Sequence, residues 1–207
     1  ALCPDLHYGE LDSAVATAME AAVKTLAGLG ARIETVAFPL REALQFARKA
    51  IAQAEFLALH RARLAATPEG YGADVRERLR EAAATTLDDY VRACRERERV
   101  RRAMDGLLAE VDGLILPVSP CEPPLLATGT SRVNGQEVTF GAVGVPMRGP
   151  LNVLGLPGVA VPTGWAPSGL PLSLQIVGPR WGEAKALRIA HAYEEATPAL
   201  RDRRPPE

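Results

Sequence analysis

Many of the usual markers of a function are missing from this chain, and each absence removes a class. Cysteine is scarce. Cys3, Cys94 and Cys121 are odd in number, far apart and without CxxC or Cys/His ligand spacing, which argues against a disulfide framework or a zinc site and for reduced thiols in a cytoplasmic protein. His7, His60 and His191 are equally scattered, so no metal site is expected. No excess of one charge is available to recruit nucleic acid directly, because 24 Lys and Arg balance 25 Asp and Glu. No apolar run approaches the ~18 residues of a membrane span, and no charged n-region opens a signal peptide, so no membrane partner is expected. Walker and GxGxxG motifs are absent, and no cofactor is expected.

Nucleophile signatures are missing too. Ser13, Ser119, Ser131, Ser168 and Ser173 lie outside any GxSxG elbow, and none of Lys24, Lys49 and Lys185 follows a serine by three residues. Ala1 excludes an N-terminal Ser, Thr or Cys nucleophile. Cys94 or Cys121 could meet His60 or His191 in space, but nothing in their spacing favours this over core or surface roles.

What is present is a 207-residue chain with 47% hydrophobic residues, enough for a sizeable α/β core. Ala1 to Cys3 reads as the end of a strand. Asp12 or Ser13 then caps a helix carrying Val15, Met19, Ala22, Leu26 and Leu29 at helical spacing, and Ala31 to Phe38 alternates as a second strand. That order is a βαβ unit of a largely parallel sheet. A long Ala-rich helix follows from about Leu40 to Ala66, broken at Thr67 to Tyr71, with helical pattern resuming from Ala73. Asp112 to Val118 is a short buried strand, Asn134-Gly135 a type I′ hairpin turn, and Trp181 to Ala196 a closing helix. The tail from Arg201 to Glu207 is expected to fray.

A helix from Thr85 to about Val111 puts Leu87, Tyr90, Val91, Cys94, Met104, Leu107, Leu108 and Val111 on one apolar face. Arg97 and Arg101 fall inside that stripe, four residues apart, whereas Arg92, Arg95, Arg99 and Arg102 belong to the polar side. An inward guanidinium needs a carboxylate, carbonyls or a ligand. Structural ion pairs, or side chains snorkelling to water, satisfy it equally.

The densest punctuation runs from Arg148 to Gly178. Pro146 and Pro150 bracket a helix start, Gly155, Pro157 and Gly158 stop it, Val159 to Thr163 is a strand, and a turn at Trp165 to Gly169 leads to an apolar strand from Leu170 to Val177. In order and spacing, the Asp12 helix, LGARIETVAFP, the arginine-rich helix, DGLILPVSP and this unit resemble the C-terminal half of the amidase signature family. The resemblance covers nearly the whole chain. It implies an α/β fold with a mixed β-sheet flanked by helices, residues 1–207 forming a single C-terminal part of an amidase signature domain whose N-terminal catalytic half is absent. The family's serine nucleophile, second serine in a cis peptide, lysine and Gly-rich oxyanion loop map onto no position here, so no catalytic residue is assigned and the chain alone is expected to be inert.

By the same resemblance, the later half supplies walls of the acyl pocket. The turn around Pro150, Asn152, Gly155 and Pro157 lies near that pocket, and the long helix directs an arginine toward it, whose closest match counting back from Asp112 is Arg97. Family members that use glutamine carry an Asp several residues before the Asn, whereas Gly144-Val145-Pro146-Met147-Arg148 has no acid. Val145 and Met147 suit an apolar or aryl acyl amide better than an amino-acid zwitterion, and a Pro-stiffened loop with core side chains is the structural alternative. The substrate-binding candidates are therefore Arg97, Arg101, Met147, Asn152 and Gly155. The expected partners are a small-molecule amide, the N-terminal catalytic half and a second copy in a homodimer. A non-catalytic binding or assembly module, or a component of the glutamine-dependent tRNA transamidase, is the alternative.

Overall fold

The computed structural model describes residues 1–7 and 9–202, with only the backbone of Arg201, and divides into two compact units, Ala1–Pro39 with Met104–Glu207 and Leu40–Ala103. In the first, Asp12 caps helix α1 (Ser13–Gly28) by accepting the Ala14 N–H at 3.0 Å. Strand β1 (Leu114–Pro117) pairs antiparallel with β5 (Pro171–Val177), which pairs antiparallel with β4 (Gly158–Trp165), in the order β1-β5-β4. Leu2 forms parallel bridges to both Thr35 and Ile115, which makes the pairing mixed.

The βαβ reading of the first 40 residues is therefore corrected in extent. Leu2 bridges Thr35 in the expected parallel sense, but Ala1 to Cys3 and Ala31 to Phe38 form no strands, and the expected largely parallel sheet is overturned, since its two ladders, β1 with β5 and β5 with β4, are antiparallel. Only Leu2 and its hydrogen bonds to Glu34 and Val36 hold the second segment to the first, too short a ladder to regularise an exposed edge.

Leu172, Leu174 and Ile176 alternate onto one face of β5 and meet Val15, Ala18, Met19, Ala22 and Leu26 of α1 in one buried cluster. Helix α6 (Glu183–Ala196) adds Ala186, Ala190 and Tyr193 to it. Each fully buried aliphatic side chain of such a cluster contributes ~1.5–3 kcal/mol. On the other face the buried Gln175 amide donates to the Pro117 carbonyl at 3.1 Å, so its burial leaves the donor satisfied. The closing helix starts at Glu183 instead of Trp181, because Trp181 sits at φ 60° in a turn closed by the Gly182 N–H on the Pro179 carbonyl. A four-residue helix, Pro198–Arg201, follows. The rest of the tail expected to fray, from Arg203 on, lies outside the described residues.

The second unit is helical. Helix α2 (Arg41–Ala66) buries Leu44, Ala47, Ala50 and Ile51, and α3 (Ala73–Ala82) buries Leu79 and Ala82. Between them His60 Nδ1 lies 3.0 Å from the Tyr71 hydroxyl, and the Arg76 guanidinium donates to the Tyr71 carbonyl. Helix α4 (Leu87–Glu110) begins at a capping box in which the Asp89 N–H donates to Thr86 Oγ1 and the Thr86 N–H to Asp89 Oδ2.

The apolar face expected for α4 is corrected in phase. Its buried residues are Ala93, Val100, Met104 and Leu108, whereas Leu87 is 76% and Val91 41% exposed. Large apolar residues at the exposed first turns pull the apparent phase toward Cys94, while the small Ala93 carries the buried stripe. Arg97 is exposed although it shares the azimuth of Ala93, Val100 and Met104.

Candidate functional site

Two short strands, β2 (Thr130–Val133) and β3 (Gln136–Thr139), form the hairpin expected at Asn134-Gly135, whose φ values of 49° and 83° fit a type I′ turn. Helix α5 (Phe140–Leu154) follows directly and takes Pro146 and Pro150 into its interior, a correction to the expectation that they bracket its start. Its N-cap is Thr139, whose side chain makes no capping hydrogen bond, so the threonine is a weaker start signal than the two prolines that follow.

At its far end α5 closes in a Schellman arrangement. Gly155 stands at φ 64° and ψ 44°, its N–H donates to the Asn152 carbonyl at 3.2 Å, and the Leu156 N–H reaches the Leu151 carbonyl at 3.1 Å. Arg180 fixes the turn from outside, donating through Nη1 to the Gly155 carbonyl at 3.3 Å and through Nη2 to Asp105 at 3.4 Å. Its buried Nε has no partner among the described residues.

The five side chains expected to bind substrate are placed differently. Asn152 and Gly155 are exposed on the turn, while Met147 is only 2% exposed and belongs to the core side of α5. Arg101 is engaged by a two-pronged pair with Glu98, at 2.7 Å through Nε and 2.5 Å through Nη2, which together with Arg102 and Arg97 holds the Glu98 carboxyl below its usual range. Arg97 donates no hydrogen bond among the described residues. Sequence reasoning passes over Arg148 and Arg180. The first becomes legible as the i+4 neighbour of Gly144 only once α5 is known to start ahead of the prolines.

The α5 side chains that do line a cavity are Phe140 and Arg148. They meet Val118, Ser119, Cys121 and Ser173 around a space of about 130 Å³. No serine hydroxyl of the described residues reaches a lysine, and Lys185 is paired with Asp112 at 2.9 Å. Among the thiols, burial pushes Cys3 up to about 11, which leaves it protonated and unreactive at neutral pH. Among the described residues no group of His, Cys, Asp and Glu is arranged to hold a metal, and no helix is long and apolar enough to cross a membrane.

This fold, a small sheet backed by α1 and α6 and preceded by a helix closing on a left-handed glycine, recurs among solved amidases. A crystal structure of an amidase superposes on it with a TM-score of 0.84 at 30% identity, over 94% of this chain and 44% of that one. The family model described as Amidase matches residues 1–187, and the chain belongs to this family. An amidase of Pseudomonas putida is 32% identical over 193 residues, 92% of this chain and 41% of that protein. A glutamyl-tRNA(Gln) amidotransferase subunit of Synechococcus elongatus (strain ATCC 33912 / PCC 7942 / FACHB-805) is 30% identical over 214 residues, 90% of this chain and 43% of that protein. The chain thus spans less than half the length of the curated relatives it matches, and as little as 20% of one, a fatty acid amide hydrolase of Medicago truncatula.

Proposed function

We propose that residues 1–207 are the pocket-forming, C-terminal part of an amidase domain that hydrolyses a small carboxylic amide through an acyl-serine intermediate, the serine, second serine and lysine lying on a portion absent from this chain. The observation that carries the reading is the unit from α5 through the Gly155 turn to β4 and β5, together with a family match over residues 1–187. Two of the serines sit in structural hydrogen bonds: Ser131 donates to the Glu122 carbonyl and Ser168 to the Glu122 carboxylate. The lack of an acid from Gly144 to Arg148 favours an apolar or aryl acyl group over an amino-acid zwitterion, which argues against the transamidase role carried by the cyanobacterial relative. Reduced thiols fit a cytoplasmic setting.

Asn152 and Gly155 are proposed as substrate contacts through the exposed turn, with Met147 supporting it from the core. Arg97 and Arg101 are proposed on the family resemblance as ligands for a substrate carbonyl or carboxylate. Arg97 is the first choice, because the Arg101 fork is already taken by Glu98.

The test is hydrolysis of an aryl amide by purified residues 1–207, alone and complemented with the catalytic half of a family member. No turnover is expected alone, since nucleophile, base and oxyanion donors are all lacking. Turnover that resists serine-directed inhibitors and vanishes in Cys121→Ala overturns the reading in favour of a thiol enzyme. In a complemented active enzyme, Arg97→Ala is expected to lower kcat/KM by about 10- to 100-fold, or ~1.4–2.8 kcal/mol, with stability unchanged.

A further inference from the structure

Arg148 presents a cationic head to the cavity on α5 with no anion among the described residues to answer it. The side chain is partly buried, its guanidinium stands 5.2 Å over the Phe140 ring, and Nη1 donates to the Val118 carbonyl at 3.4 Å. Both partners line the cavity, so the charged head is at its wall rather than in solvent. Gly144, one turn earlier on α5, makes that pose possible: a Cβ there would lie 2.7 Å from Nη1 and 3.2 Å from Cζ. The guanidinium rests on bare backbone.

A partly desolvated guanidinium with one long backbone hydrogen bond and a ring beneath it leaves most of its five donors unanswered. Among the described residues no carboxylate pairs with Arg148, and Glu122, next to Cys121, is held by the Ser168 hydroxyl. Two hydroxyls share the cavity wall. Ser119 Oγ accepts the Cys121 N–H at 3.4 Å and has only the Cys121 sulfur, 4.0 Å away, as a further partner, while Ser173 makes no side-chain hydrogen bond among the described residues. A planar fork beside the Ser173 hydroxyl and the weakly engaged Ser119 hydroxyl matches a carboxylate, and a space of about 130 Å³ admits that group with little beyond it.

We infer that Arg148, with Ser119 and Ser173, forms a carboxylate subsite, so that the amide turned over bears a carboxylate away from the scissile bond. The part concerning turnover rests on the amidase reading above. No acid stands near Arg148 on its own helix to answer an ammonium group, so the ligand is a simple anion with an apolar body rather than a zwitterion. This refines the apolar acyl class by one charged end.

The test is a titration of residues 1–207 with butyrate and with its neutral isostere butyramide, at constant ionic strength, followed by amide NMR shifts. Butyrate is expected to saturate shifts at Ser119, Arg148 and Ser173 and to bind at least about tenfold more tightly than butyramide, as a site built around charge-assisted hydrogen bonds should. Arg148→Gln should erase that preference. Gly144→Ala, which keeps the charge and displaces the guanidinium, should weaken butyrate several-fold. Equal binding of the two probes, no saturable shift at those residues, or an undiminished preference in Arg148→Gln overturns the inference. Should Arg148→Gln fail to fold, the wild-type preference and Gly144→Ala decide. Since this assay needs no catalysis, absent turnover in the complemented enzyme strikes the amidase reading alone, and equal probe binding strikes the subsite alone.

Discussion

Asp12 uses its two carboxylate oxygens on two distant pieces of chain. One accepts the Ala14 N–H and caps α1, and the other accepts the Asn134 N–H at 2.9 Å, while the Asn134 side chain returns the contact by accepting the Ser13 N–H and donating to the Leu11 carbonyl. Asp12→Ala should cost ~1–2 kcal/mol in urea denaturation, the value of a cap plus a charge-assisted hydrogen bond. Asn134→Ala removes part of the same network, so the double variant should lose less than the sum of the singles; strict additivity would show the two residues to be independent. The cap and the Asn134-Gly135 turn are each legible from local sequence. Their junction is not, since it joins residues 122 apart and leaves no periodic trace. Arg97 shows the opposite failure: a local pattern is present and places it on the buried stripe between Ala93 and Val100, yet its long charged side chain is exposed.

Among the elements, the unit from α5 to β5 is the most legible, and for a physical reason. Glycine at a left-handed helix end and short apolar runs between turns are local signals, and they place β4 and β5 within a few residues. The start of α5 escapes them because proline signals a beginning, whereas the helix carries Pro146 and Pro150 inside it. Gly155 is the residue on which the end of α5 depends. An alanine there must hold φ near 64° and bring a Cβ within 3.1 Å of Arg180 Nη1. Gly155→Ala should therefore lower stability by ~1–2 kcal/mol, the ordinary cost of a left-handed non-glycine residue, with a matching fall in Tm. Gly169, also at positive φ but with open space around a Cβ, supplies the comparison. A loss at Gly155 no larger than at Gly169 would mean that Arg180 yields freely and does not fix the turn.

At the scale of the whole chain, the sheet of the first unit stops at β4. Among the described residues the backbone ladder of β4 runs to β5 alone, with a register irregularity between Pro162 and Gly164, so β4 forms an edge of this sheet. Unpaired strand edges recruit other strands, and the surface adds apolar side chains that water does not favour: Leu126 is 102%, Trp181 87% and Leu125 68% exposed. Neither feature is visible in the sequence, because an edge is defined by which strands are missing beside it and exposure by packing across distant segments. Residues 1–207 on their own are expected to self-associate, as dimers or larger species, in light scattering across a concentration series. Lys introduced for the exposed Ala160 on β4 should reduce that association if the edge drives it, whereas Leu126→Lys should do so if the exposed loop does. A monomer that stays monodisperse at high concentration without either change would show that this edge and these apolar side chains are not partner surfaces, and would remove the homodimer from the proposed assembly.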